Sequence, residues 1–175
     1  MSRRQLVLIS RWRLAASRER VWALLADPEA WPRWWPHLAA VRCLAAGDDD
    51  GNGALREFNW RSGVGYRIAF VVRTVRVRRL QEIEGVVHGD VRGRGLWLVE
   101  EGAAGEVCLT YRWSVDLERR WMRLLAPLLQ PLFAWRHFVV MRAGARGMAA
   151  FLGCALGAME EWSALAPSHR ASTPA

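Results

Sequence analysis

The residues able to move a proton are few in this 175-residue chain, and they lie far apart in sequence. His137 stands just ahead of a helical stripe, one turn from Met141. A histidine there is either a structural hydrogen-bonding residue or, at a cavity, a group that bonds a ligand carbonyl or acts as general acid or base. Asp90 follows Gly89 between two strand-like runs. It is a turn or bulge residue, with the glycine supplying backbone freedom, or it pairs with an Arg or a ligand. Tyr111 is the third proton-transfer candidate. No Ser-His-Asp or Cys-His order accompanies these three, and no paired carboxylates converge on them in sequence.

Cys43, Cys108 and Cys154 are odd in number and widely spaced, so they read as buried free thiols and not as a disulfide framework. His37, His88, His137 and His169 are equally scattered, without metal-ligand spacing. Neither a metal nor a cofactor is expected.

A second set of residues offers surface instead of protons. The chain holds eleven Trp against two Tyr and five Phe. Trp60, Tyr66, Phe70, Trp97, Tyr111 and Trp113 fall in strand-like runs, and His137 and Met141 lie near the start of a long helix. Each is either ordinary core or the wall of a ligand cavity, and the two readings coexist where a core is incompletely filled. Flat aromatic walls suit ring-containing or polyunsaturated ligands through stacking.

The charge balance is 25 basic to 17 acidic residues, a formal +8, and every basic residue is Arg. The absence of Lys reads as a genomic bias toward GC-rich Arg codons. The arginines spread along the whole chain, with one tight run at Arg73, Arg76, Arg78 and Arg79. That spread argues against specific nucleic-acid binding, which collects charge on one face or tail. A weak, transient attraction to anionic membrane surfaces fits better. No apolar run is long enough to span a bilayer, and the N-terminus lacks the apolar core of a signal peptide, so a cytoplasmic location is expected. Oligomeric state is not written in the sequence.

The elements that must position these residues read as follows. Residues 5–14 form a strand. Ser17 caps a short helix with Glu19 in its first turn, although Arg20 stands where a capping box would place an acid. Trp31-Pro32-Arg33-Trp34-Trp35-Pro36 makes a short helix or turn. A second strand covers 39–46, and 47–53 is a Gly- and Asp-rich turn. Strands follow over 55–60, 66–78, 80–88 and 90–100. The last covers 107–117, where Val107, Leu109, Tyr111, Trp113, Val115 and Leu117 alternate with polar or small residues. Phe138, Met141, Ala145, Met148 and Leu152 step by three and four along a long helix, with a nearly overlapping stripe through His137, Gly144 and Phe151. Its small residues would allow close approach to a sheet. Residues 121–135, with Pro127 and Pro131, read as an irregular segment leading into the helix, or as a mobile lid or membrane-touching patch. Residues 166–175 read as a disordered tail after a single domain over 1–165.

Strands grouped apart from helices mean an α+β fold: a curved antiparallel sheet of about seven strands, covered by one long helix, with room for a cavity between them. The sequence resembles the START-like, helix-grip superfamily (SRPBCC, Bet v 1-like), and within it a polyketide cyclase/dehydrase-like bacterial branch. The matching stretches are Ser17 to Asp27, Trp31 to Pro36, Gly89 to Trp97 and Trp135 to Gly144. The resemblance implies binding or transport of a small hydrophobic, aromatic or lipid-like ligand in the internal cavity. It also implies the alternative of a polyketide cyclase/aromatase using the same cavity, because ring closure needs only a shaping pocket and one or two of His137, Asp90 and Tyr111.

Overall fold

The computed structural model describes residues 4–61, 67–89, 92–116 and 120–167. The chain runs β1 (Arg4–Leu14), α1 (Arg18–Leu25), a 3-10 helix (Pro28–Arg33), β2 (Leu38–Ala45), β3 (Leu55–Arg61), β4 (Arg67–Arg78), β5 (Glu82–Gly89), β6 (Gly93–Glu101), β7 (Val107–Asp116), α2 (Arg120–Leu152) and β8 (Leu156–Pro167). All eight strands join one curved antiparallel sheet in the order β2-β3-β4-β5-β6-β7-β1-β8. This is the α+β helix-grip architecture, with one strand more than the sequence suggests.

The sheet's two faces follow from the register. Leu8 pairs with Trp113, Ser10 with Tyr111 and Trp12 with Leu109, so these side chains share the helix-facing side. Alternation then puts Leu6, Leu14, Val107 and Val115 on that same side. Phe138, Met141, Ala145, Met148 and Leu152 meet this face as one buried stripe of α2. Phe151 departs from the expected pattern, since its side chain is exposed.

Tryptophan fills one end of the grip. Trp12, Trp31, Trp34, Trp35 and Trp97 are buried together with Val21, Trp22 and Leu25 of α1. Trp31, Trp35 and Trp97 lie 5.5–6.2 Å apart between ring centroids. Backbone carbonyls serve two of the indole N–H groups, whereas Trp34 Nε1 is buried without a partner among the described residues. Trp31 Nε1 donates to the Leu24 carbonyl at 2.8 Å, and Trp35 Nε1 to the Val140 carbonyl at 2.9 Å. Two of the small residues of α2, Gly144 and Gly147, receive this tryptophan segment. A Cβ on Gly144 would stand 2.5 Å from the Trp35 indole, and one on Gly147 would run into the Trp34 carbonyl.

α1 starts as its sequence implies. Ser17 Oγ accepts from the Arg20 amide at 3.4 Å. The missing acid of the capping box has a reason. The Arg20 guanidinium reaches across to the carbonyl of Leu152, 2.6 Å away, and satisfies an orphan acceptor at the end of α2.

Three expectations change. Residues 121–135 belong to one continuous 33-residue helix and are not an irregular segment before it. Pro127 and Pro131 each remove one amide donor, and their spacing of four keeps both gaps on one side of the helix. Leu156–Pro167 is a strand, so the predicted tail loses residues 166 and 167 to β8, and 168–175 lie outside the described residues. The thiols are not fully buried: Cys43 is exposed, and Cys108 and Cys154 are half-buried.

Candidate functional site

Registers across the sheet define one row of side chains facing α2. Glu161 of β8 pairs with Ser10 of β1, Ser10 with Tyr111 of β7, Tyr111 with Trp97 of β6, and Trp97 with Ile83 of β5. Tyr111 is the hub of the row. Its ring centroid lies 4.4 Å from that of Trp97 and 6.3 Å from that of Trp113, the second pair stacked. Gly95 leaves the space for this placement: a Cβ there would stand 2.7 Å from the Tyr111 hydroxyl. Gly95 of β6 therefore makes room for the Tyr111 ring of the neighbouring strand.

α2 supplies the opposite wall. The His137 ring stacks over Tyr111 at 6.2 Å with 21° between planes, and meets Phe138 edge-on at 5.5 Å. Two core clusters flank this level. The tryptophan cluster lies on one side. On the other, Leu6, Leu8, Val87, Trp113, Ala134 and Phe138 pack together. Phe70, Val72 and Tyr111 touch both clusters, so the Tyr111–His137 level is the seam between them.

The electrostatics of the seam are those of a dry site. Burial lowers the His137 pKa to about 4 and raises the Tyr111 phenol well above its ordinary range. Both are neutral at pH 7. Both residues keep some accessible surface, so neither is fully enclosed by its neighbours. Two polar atoms here stand out. His137 Nε2 and Ser10 Oγ are buried and have no hydrogen-bond partner among the described residues. Such groups are uncommon and costly, on the order of 1–3 kcal/mol each.

Of the sequence candidates, the structure brings together Phe70, Trp97, Tyr111, Trp113 and His137. Met141 lies one turn along α2 and is fully packed in the tryptophan cluster. Trp60 sits farther off, edge-on to Trp35 at 5.2 Å, with its Nε1 also buried and unpartnered. Tyr66 and Asp90 lie outside the described residues. Ser10 and Glu161 were missed by the sequence reading. Ser10 had a signal, being the only polar residue in the inward series Leu6, Leu8, Ser10, Trp12, Leu14. Glu161 had none without β8. It closes its end of the row by binding Arg142 of α2 through three contacts, 3.0 and 3.1 Å from Nε and 2.5 Å from Nη2.

Two arginines of the basic run, Arg76 and Arg78, are paired with acids of β5. Arg76 contacts Glu82 at 2.6 Å and Glu84 at 2.9 Å, and Arg78 contacts Glu82 at 3.4 Å. Among the described residues no cluster of three His, Cys, Asp or Glu could hold a metal ion. No helix of the described residues is long and apolar enough to cross a membrane. A hollow by Gly102, Glu106 and Cys108 lies at the β6–β7 turn, away from the row.

Comparison with known proteins places this geometry. Solved structures with the same fold include a START superfamily protein from Mycobacterium smegmatis, with 16% identity over 84% of this chain and 97% of that one, and a TM-score of 0.68. The ginseng major latex-like protein 151 from Panax ginseng gives 11% identity, 85% and 97% coverage and a TM-score of 0.65. A protein from Thermus thermophilus gives 17% identity, 82% and 98% coverage and a TM-score of 0.62. At these identities the likeness is one of fold. Among curated protein sequences, nothing matches. The family described as polyketide cyclase / dehydrase and lipid transport matches residues 10–162, nearly the whole sheet-and-helix unit. The chain belongs to the polyketide cyclase / dehydrase and lipid transport family.

Proposed function

We propose that this protein binds one small, largely apolar ligand with a ring system and a hydrogen-bonding oxygen, held at the seam between Tyr111 and His137. The observation that carries this is the pair of unpartnered buried atoms, Ser10 Oγ and His137 Nε2, in an otherwise aromatic and aliphatic wall. A hydroxyl or carbonyl on the ligand recovers the hydrogen bonds that the folded chain leaves unmade. Rings of the ligand stack on the aromatic wall of Trp97, Tyr111 and Trp113, where the Tyr111–Trp113 pair is already stacked. Neutral His137 at pH 7 serves as donor or acceptor without bringing a charge into a dry site. Calorimetric titration with 2-naphthol and with naphthalene tests the reading. The naphthol binds roughly tenfold tighter if one buried hydrogen bond is gained. Equal affinity for both, or none for either, counts against it.

A second reading is favoured by the His137–Tyr111 stack itself. A neutral imidazole with a bare nitrogen beside a neutral phenol is a workable acid–base pair for ring closure in a polyketide-like substrate. In that reading His137 takes the proton and Tyr111 steadies the developing enolate oxygen. Turnover of an accepted polyketide thioester that survives unchanged in both His137→Ala and Tyr111→Phe would rule those roles out.

A further inference from the structure

Around residues 132–135 the outward side of α2 is apolar where a solvated helix would be polar. Leu132, Phe133 and Trp135 are 54%, 53% and 54% exposed. They stand on the turns whose opposite side carries buried Ala134 and Phe138. Contiguous exposed apolar side chains of this size mark an interaction surface. The sequence of the helix carries charge of one sign. The 33 residues of α2 contain Arg120, Arg123, Arg136, Arg142 and Arg146 and no Asp or Glu. Arg142 is engaged by Glu161. Arg136 lies 5.8 Å from the Trp135 ring centre, and Arg136 and Arg146 are both exposed.

This combination selects the partner. A second copy of the chain, related by a two-fold axis, would set these arginines against themselves. An anionic bilayer answers both features at once. Trp and Leu side chains settle at the boundary between headgroups and acyl chains, and guanidinium groups hold lipid phosphates bidentately. We infer that the Leu132–Arg136 face of α2 docks on the surface of anionic lipid membranes, with Leu132, Phe133 and Trp135 entering the interfacial layer. The docking places the helix that walls the Tyr111–His137 seam directly against the bilayer. It stands independently of which ligand, if any, occupies the seam.

Flotation of the full chain with phosphatidylcholine vesicles, and with vesicles in which a third of the lipid is phosphatidylglycerol, tests this. The chain floats with the anionic vesicles only, and about 1 M salt releases it. Replacing Leu132, Phe133 and Trp135 by Ser lowers the partition coefficient by roughly tenfold or more. Arg136→Gln with Arg146→Gln weakens binding and flattens its salt dependence. Unchanged circular dichroism and melting show that the variants remain folded. If the triple variant melts early, Trp135→Ser alone takes its place. Three results overturn the inference: no flotation of the wild type, equal flotation with neutral vesicles, or anionic flotation untouched by the Ser variants. A wild-type dimer that Trp135→Ser converts to monomer also overturns it, by giving the face to a second copy.

Discussion

Ser10 and Tyr111 face each other across the β1–β7 ladder, on the side of the sheet that looks at α2. The two make opposite use of that position. The Tyr111 ring leans over β6 into the space left by Gly95, whereas Ser10 is fully enclosed with its hydroxyl unpartnered. A strand that otherwise offers Leu6, Leu8, Trp12 and Leu14 to the core thus carries one bare polar group at the middle of the wall.

Ser10→Ala is therefore expected to stabilise the ligand-free protein, by about 1 kcal/mol, because a buried oxygen without a partner is removed and little volume changes. The same variant is expected to lose the preference for 2-naphthol over naphthalene. Urea denaturation and calorimetric titration measure the two effects. A destabilised Ser10→Ala protein would show that the hydroxyl already has a structural partner.

His137 predicts a pH dependence. Its folded pKa is about 4, lowered by burial of the neutral ring, and its unfolded pKa is near the ordinary 6.5. Between these values the unfolded chain binds more protons, so stability rises with pH across this window. The His137 contribution is intact above about pH 6.5 and falls away toward pH 4, by on the order of 3 kcal/mol. Denaturation midpoints of wild type and His137→Phe, compared from pH 4 to 7, check this. The Phe variant is expected to show a flatter profile. Parallel profiles would mean that His137 is not desolvated in the folded state.

The sequence exposed most of this architecture, and the failures share a cause. Strands β3 to β7 and α1 are legible because their apolar residues keep one period. β8 is not, because its inward residues include Glu161 and Ser163 and a bulge near Gly157 shifts the alternation. The first half of α2 was hidden by Pro127 and Pro131, local breakers that this 33-residue helix accommodates. At the site, the aromatic wall was readable from alternation, but the stacking of His137 on Tyr111 depends on how a helix lies across a sheet. No spacing in the sequence encodes that.

The two α2 glycines allow a graded test of the tryptophan clamp. Gly144→Ala pushes a methyl against the Trp35 indole, a side chain that yields in part, and is expected to cost roughly 1–3 kcal/mol. Gly147→Ala meets the Trp34 carbonyl, which is backbone and yields less, so its loss is expected to be the larger. Chemical denaturation ranks them. The reverse order would mean that the 3-10 segment shifts more readily than the indole repacks.

β8 makes the final prediction. It covers β1 along nearly its whole length, and Glu160 adds contacts to Arg11 and Arg13 at 3.5 and 3.6 Å. Those exposed ion pairs contribute little by themselves. The ladder matters more, since without β8 the backbone donors and acceptors on that side of β1 become an open edge beside buried Leu6 and Leu8. A chain ending at Cys154 is therefore expected to self-associate through β1, with dimers and larger species in light scattering and an earlier melt. Glu161→Gln keeps the strand and removes only the charge partner of Arg142. Because that guanidinium is partly solvated, the loss is expected to stay near about 1 kcal/mol, without self-association. A shortened chain that remains monomeric and melts like the full one would mean that β8 neither seals the sheet nor holds α2 in place.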